Sequence, residues 1–219
     1  MALENYRRES GVARKLLGSD GEHSSRFHTR RGKLLLKECV KSGPRAAIGR
    51  ILGSRPAVPW MAPAAIDHLD NLLVGTMKVV ELGSGMSTSW YAARTESVTS
   101  IEPDSAWSRT VREMTNDVDN VQLVHGAIAE NLRSILLNLS PDVVIIDHND
   151  EPNMTRLDAM ELVRELSNPS IIVLDDSDRE EYRRAPEMAP GWTEIRCLGY
   201  RSTPLRATET TLFLAPSIN

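Results

Sequence analysis

The 219-residue chain predicts an α/β protein: a doubly wound, mostly parallel sheet with an antiparallel last strand, preceded by a helical extension. Three observations support this reading. Five short β-branched runs alternate with stretches of helical length, the pattern of βαβ crossovers in a sheet covered on both faces. Two further strand-like runs near the end are joined directly by a loop, so they should pair antiparallel. The first quarter differs in charge, with 13 Lys and Arg against 5 Asp and Glu up to Arg55, in a chain whose net charge is −4.

In chain order, residues 1–59 form a basic helical extension or cap, with Leu34, Leu35, Leu36, Val40, Ile48 and Ile51 between cationic residues and a break at Gly43-Pro44. RPAVPWMAP, with three prolines in nine residues, is an extended entry to a core domain over 60–219. PAAIDHLDNLL then places Ala65, Ile66, Leu69, Leu72 and Leu73 at helical spacing, with Pro63 in the first turn, where its missing N–H costs nothing. Strands follow at Met77–Leu82, Ser97–Glu102, Asn120–His125, Asp142–Asp147 and Ser170–Asp175, with helices starting near Met86, Ser105, Ile128 and Met154. GWTEIRCLGY and TETTLFLAP complete the sheet.

A hydrophobic fraction of 41% supports a full core. No run approaches the ~18 apolar residues of a membrane span, and the N-terminus lacks the apolar centre of a signal peptide. The two cysteines, Cys39 and Cys197, have no metal-ligand spacing. These features point to a cytoplasmic protein with no membrane partner.

The informative stretch is VVELGSGMSTSW, Val79 to Trp90. Gly83 and Gly85 follow the first strand of the sheet, where open α/β sheets bind ligands. Glycine there allows a positive φ and close approach of backbone to ligand. The following helix offers free N–H groups, with Ser87 or Thr88 to cap it or bond the ligand. Thr88 stands where a dinucleotide fingerprint needs its third glycine, and no lysine follows Gly85, so both phosphate-binding motifs fail. Two acids remain: Glu102, ending the next strand and suited to a ribose diol, and Glu81, two residues ahead of the glycines and suited to an ammonium group. Ribose, ammonium and carboxylate together describe an adenosyl amino acid.

On these residues the chain resembles the class I S-adenosylmethionine-dependent methyltransferases. VVELGSGMS is similar to their first motif, IEPD (Ile101 to Asp104) to their ribose-binding motif, and PDVVIID to the fourth-strand motif bordering the active site. PWMAP, GSGMSTSWYA and LDDSDREEYRR resemble a branch acting on small molecules. The resemblance implies a Rossmann-like sheet of seven strands with the last inserted antiparallel, and a cofactor site at Glu81, Gly83, Ser84, Gly85, Ser87, Glu102 and Asp147. The family often places an acid after the third strand to receive the adenine amino group. This chain has HGAIAE there, so Gly126 and Ala127 would serve through their backbone.

Asp147 ends the fourth strand, and Asp175 and Asp176 the fifth, so neighbouring parallel strands bring these carboxylates to one edge. As hard oxygen ligands they could hold Mg²⁺ and orient a diol, in an arrangement similar to the catechol O-methyltransferases with Asp-Asp replacing Asp-Asn. The alternative is neutralisation by Arg179, Arg183 or Arg184, with Ser177 or Asp178 capping a short helix. His148 is the candidate general base, with Asp147 beside it, because an imidazole of ordinary pKa about 6.5 suits removal of a hydroxyl proton; a surface histidine is the alternative. Trp90, Tyr91 and Trp107 read as packing aromatics. Arg26, Arg30 and Arg31 in the cap could meet a phosphate or carboxylate.

The function expected is methyl transfer to a small-molecule acceptor, most simply at a hydroxyl oxygen. A homodimer is compatible with this. A non-catalytic cofactor-binding protein and an RNA-directed methyltransferase are the alternatives. Against the latter, the basic segment lacks interleaved aromatics, so nucleic acid is not the expected partner.

Overall fold

The computed structural model describes residues 27–35, 37, 57–202 and 205–216. Most of the helical extension expected over 1–59 lies outside these, as does Arg26, while its described residues 27–35, Leu34 and Leu35 among them, are not helical. The core follows the expected alternation: α1 (Pro63–Leu72), β1 (Lys78–Leu82), α2 (Met86–Ala92), β2 (Ser97–Glu102), α3 (Ser105–Met114), β3 (Val121–His125), α4 (Ile128–Leu139), β4 (Val143–Ile146), α5 (Arg156–Leu166) and β5 (Ile171–Leu174). A 3-10 turn (Glu180–Tyr182) and the short α6 (Ala185–Met188) lead to β6 (Thr193–Ser202) and β7 (Leu205–Leu214).

The seven strands run in the order β3-β2-β1-β4-β5-β7-β6. β1 to β5 are parallel, while β7 is antiparallel to both β5 and β6. This is the predicted class I methyltransferase sheet. Strand order reverses between β1 and β4, and Leu82 is level with Ile101 on one side and Ile146 on the other. Ile146 is level with Leu174 in turn. The segments after β1, β4 and β5 therefore leave the sheet at one height, which creates the crevice at the switch point.

Period-two alternation sorts the strand residues between two cores. Val80, Leu82, Val144, Ile146, Ile172 and Leu174 meet Ile128, Leu132 and Leu136 of α4 and Ala159, Met160 and Val163 of α5. Val79, Val143, Ile145, Ile171 and Val173 meet Ala65 and Leu69 of α1 and Trp90 and Tyr91 of α2. Both faces of the central strands are thus dry, which is why β4 and β5 read as unbroken aliphatic runs. Among the described residues no helix is long and apolar enough to cross a membrane.

Helix starts are set locally. Asp104 accepts a hydrogen bond from Trp107 N at 2.7 Å and caps α3. α5 begins two residues later than its expected start near Met154, because Thr155 and Asp158 form a reciprocal capping box. Met154 instead pairs with Glu151 in an isolated bridge.

Residues 27–35 form a tight turn with a His28–Leu34 antiparallel bridge. Its Leu35 packs with Tyr200 and Ala207 of the β6–β7 hairpin, and Phe27 stacks on Tyr200 with ring centres 5.9 Å apart. This part of the N-terminal region is docked against the end of the sheet that carries the crevice.

Candidate functional site

A cleft of about 660 Å³ opens over the carboxyl ends of β1 and β4. The glycine loop and the β2 end line one side, and the segments after β4 and β5 line the other.

On the first side, Gly83 has φ +89, and a side chain there would put its Cβ 2.9 Å from the Asp147 carbonyl oxygen. Only glycine lets the two walls of the cleft touch backbone to backbone. Glu102 lines the cleft and is 6% exposed. Its Oε2 accepts from Ser84 N and Ser84 Oγ, both at 3.0 Å, and its Oε1 from Asp104 N at 2.9 Å. A carboxylate has roughly four acceptor positions, so Oε1 keeps one for a ligand hydroxyl, and the Ser84 hydroxyl is a rotor that can yield another. Trp107 is not a simple packing aromatic: it lines the cleft and donates from Nε1 to Ser84 O at 2.8 Å, fixing the loop from outside.

Glu81 is placed differently from the expectation of a direct ligand contact. It is 1% exposed and lies beneath the loop, where its carboxylate accepts from the hydroxyls of Ser87, Thr88 and Ser100. Burial raises its pKa from 4.5 to about 7, against the lowering effect of the three hydroxyls. Ser87 and Thr88 are thereby spent on Glu81, and Thr88 Oγ1 also accepts from Gly85 N. The residue shapes the loop from below.

On the second side, Asp147 lines the cleft and pairs with Arg156 at 3.1 Å. Arg156 is 2% exposed and ties the ends of β4 and β5 together, donating from Nε to His148 O and from Nη1 to Asp175 O, both at 2.7 Å. His148 also borders the cleft but is 1% exposed, with its Nε2 3.3 Å from Met154 O. Its Nδ1 has no partner among the described residues. Burial and then the Arg156 charge push its pKa down to about 4. An imidazole held so far below 6.5 is neutral at neutral pH and a weak base, and it is turned toward Met154, whereas the Asp147 side chain is 34% exposed; access, not basicity, favours Asp147 for meeting an acceptor hydroxyl.

The metal expectation is corrected. Asp147, Asp175 and Asp176 reach one edge but do not converge, and among the described residues no three His, Cys, Asp or Glu are placed to hold an ion. Asp175 is fully buried and accepts from Thr210 Oγ1 at 2.6 Å. Asp176 accepts from Arg179, Arg206 and Thr208 and pairs with Arg30 at 3.4 Å. Guanidinium groups supply the neutralisation a cation would otherwise provide, and this donor set does not fit Mg²⁺. Asp176 also has φ +52, a conformation rare for a residue with a side chain. Arg30 and Arg31 meet carboxylates, but the protein's own: Asp176 and Asp178 for Arg30, Glu209 for Arg31.

At the β3 end part of the backbone expected to receive adenine is engaged, and neither Gly126 nor Ala127 is among the residues that line the cleft. Gly126 N donates to Glu102 O at 3.1 Å, and Ala127 O accepts from Asn131 Nδ2 at 2.8 Å. The next two N–H groups, of Ile128 and Ala129, are held by the carboxylate of Glu151, at 3.0 and 3.4 Å. Glu151 lines the cleft and went unnoticed in the sequence, where it is one acid in the polar run DHNDEPN. Only the fold carries it from the β4 end to the start of α4, beyond the β3 end.

Residues 80–177 match the model of a methyltransferase domain family. No curated protein sequence matches the chain. Among solved structures, an O-methyltransferase from Bacillus cereus in complex with S-adenosylhomocysteine is 16% identical, with 98% of each chain covered and a TM-score of 0.58. The O-methyltransferase TomG from Streptomyces achromogenes, in complex with S-adenosylmethionine, is 18% identical over 82% of this chain and 96% of its own, with a TM-score of 0.57. An rRNA methylase from Streptococcus thermophilus is 17% identical over 74% and 96%, with a TM-score of 0.52. At these identities the structural likenesses speak for the fold. Joined to the domain match over β1 to β5, the strand order and the glycine loop at the switch point agree with the fold of the class I S-adenosylmethionine-dependent methyltransferases, the family the sequence resembles.

Proposed function

We propose that the chain transfers a methyl group from S-adenosylmethionine to a small molecule, at a hydroxyl oxygen. The observation that carries this is the cleft itself: the Ser84 loop and Glu102 form its donor side, and Asp147 faces it from the β4 end. Bound there, the sulfonium would supply an activated methyl group with a neutral leaving group, so no acid is required of the protein.

The remaining work falls to the chain's own residues. Glu102 binds ribose hydroxyls through Oε1, while Ser84 and Trp107 keep the loop in place. The Gly83 contact with Asp147 sets the donor side at a fixed distance from the acceptor side, which is the orientation catalysis of this kind depends on. Asp147 accepts a hydrogen bond from the acceptor hydroxyl and takes its proton as the oxygen is methylated, with Arg156 holding the carboxylate in place. His148, neutral and buried, supports the segment. Arg179 and Arg206 line the cleft beyond Asp147 and complete the acceptor wall.

Calorimetry with S-adenosylmethionine and S-adenosylhomocysteine tests the donor half, and mass spectrometry of a panel of small phenols, catechols and aliphatic alcohols tests the acceptor half. Binding of both cofactors and a mass gain of one methyl group on a hydroxyl compound is the expected result. If neither cofactor binds, the reading fails. Cofactor binding with no transfer to any acceptor would favour a non-catalytic binding protein, and transfer to RNA alone would favour the RNA-directed alternative.

A further inference from the structure

We propose that the Glu151 carboxylate receives the exocyclic amino group of adenine, a base-recognition residue supplied by the β4–α5 segment in place of the acid that the β3 end lacks. The inference rests on the S-adenosylmethionine reading and specifies how that site would tell its nucleobase.

The path of contacts is continuous. Glu102, the ribose residue, is level with His125 in the β2–β3 register, and its carbonyl accepts from Gly126 N. Two residues on, the Ile128 and Ala129 N–H groups hold Glu151. A base attached to a ribose at Glu102 and directed toward the β3 end therefore meets Glu151, which lines the same cleft.

Glu151 lines the cleft whereas Gly126 and Ala127 are not among its lining residues, and part of the backbone there is committed. The N–H groups of Gly126, Ile128 and Ala129 and the carbonyl of Ala127 all have partners. Each Glu151 oxygen takes one N–H, so about two of the carboxylate's four acceptor positions remain for a ligand donor. The α4 N–H groups fix the carboxylate in place, so little order is lost when a base arrives. An acceptor-only group so fixed favours an amino substituent and disfavours an oxo group, which would leave two acceptors facing one another.

The test compares S-adenosylhomocysteine with S-inosylhomocysteine, which replaces the 6-amino group with an oxo group, by calorimetry on the full chain. Wild type should prefer the adenosyl compound by about tenfold or more, the usual scale of a hydrogen bond to a charged group. Glu151→Gln keeps one oxygen for Ile128 N–H, gives up the longer bond from Ala129 N–H and offers an amide N–H to the oxo group, so its preference should drop below about threefold. A purely structural capping role would change both affinities together and leave their ratio alone. An unchanged ratio in Glu151→Gln, with circular dichroism like that of wild type, overturns the proposal and leaves the cofactor reading standing. Wild type that binds both compounds equally also overturns it, and wild type that binds neither overturns both.

Discussion

Replacing Gly83 with alanine tests the contact on which the geometry of the cleft depends. The new Cβ would lie 2.9 Å from Asp147 O and 3.0 Å from His148 Cα, both backbone atoms that no rotamer change can remove. The residue would also have to hold φ +89. The backbone strain alone costs about 1–2 kcal/mol, and overpacking against a fixed neighbour about 1–3 kcal/mol more. Gly191 supplies the control: its φ is +79, but a Cβ there would meet nothing within 4 Å, so Gly191→Ala should show the strain without the clash. Urea unfolding of wild type and the two variants should place Gly83→Ala about 1–3 kcal/mol below Gly191→Ala. The same substitution should weaken S-adenosylhomocysteine binding, since the loop can relieve the clash only by moving from the β4 end. Equal stability of the two variants, within about 0.5 kcal/mol, would refute the claim that the walls are in enforced backbone contact.

Three further outcomes are expected. Because burial raises the Glu81 pKa from 4.5 to about 7, its contribution to stability is full below pH 4.5 and lost as pH rises to about 7. At about 1.4 kcal/mol per pH unit this is on the order of 3 kcal/mol, which Glu81→Gln should remove from the stability–pH curve measured by chemical denaturation. The His148 ring, with its pKa pushed down to about 4, should show no titration in proton–carbon NMR spectra between pH 5 and 8; a midpoint near 6.5 would restore it as a candidate base. Asp176→Asn removes the carboxylate shared by Arg30, Arg179 and Arg206, whose side chains are 16–25% exposed, and should cost about 2–3 kcal/mol in thermal or chemical unfolding, below the full penalty for a wholly buried pair.

The features legible in the sequence were those with a short-range cause. The aliphatic runs of β4 and β5 are local, as is the placement of Gly83 and Glu102 at the ends of β1 and β2, and sheet topology converts them directly into a crevice. What escaped depends on side-chain direction or on contacts between distant segments. Asp175 and Asp176 are adjacent at a strand end, yet one is buried against Thr210 and the other points into an arginine cluster, so a shared metal role could not survive. Arg156 looks like an ordinary first-turn residue of a surface helix, but the fold buries it between the ends of β4 and β5. Glu81 has the right position for a ligand contact and the wrong depth, because Ser87, Thr88 and Ser100 enclose it. His148 is beside the right residue but turned toward Met154.

The β6–β7 hairpin has a consequence for how new acceptors could be accommodated. β5 pairs with β7 only from Thr211 to Leu214, while the ladder between β6 and β7 continues out to Ser202 and Leu205. The part carrying Arg206 and Thr208 therefore extends past β5 and is held instead by Asp176, by Ser177 and by the turn at residues 27–35. Arg206 stands on one wall of the cleft, apart from the pairing of β1, β2 and β4. On the proposed function, substitutions at Arg206, which lines the cleft on the side away from Glu102, should change the acceptor range before they change donor binding.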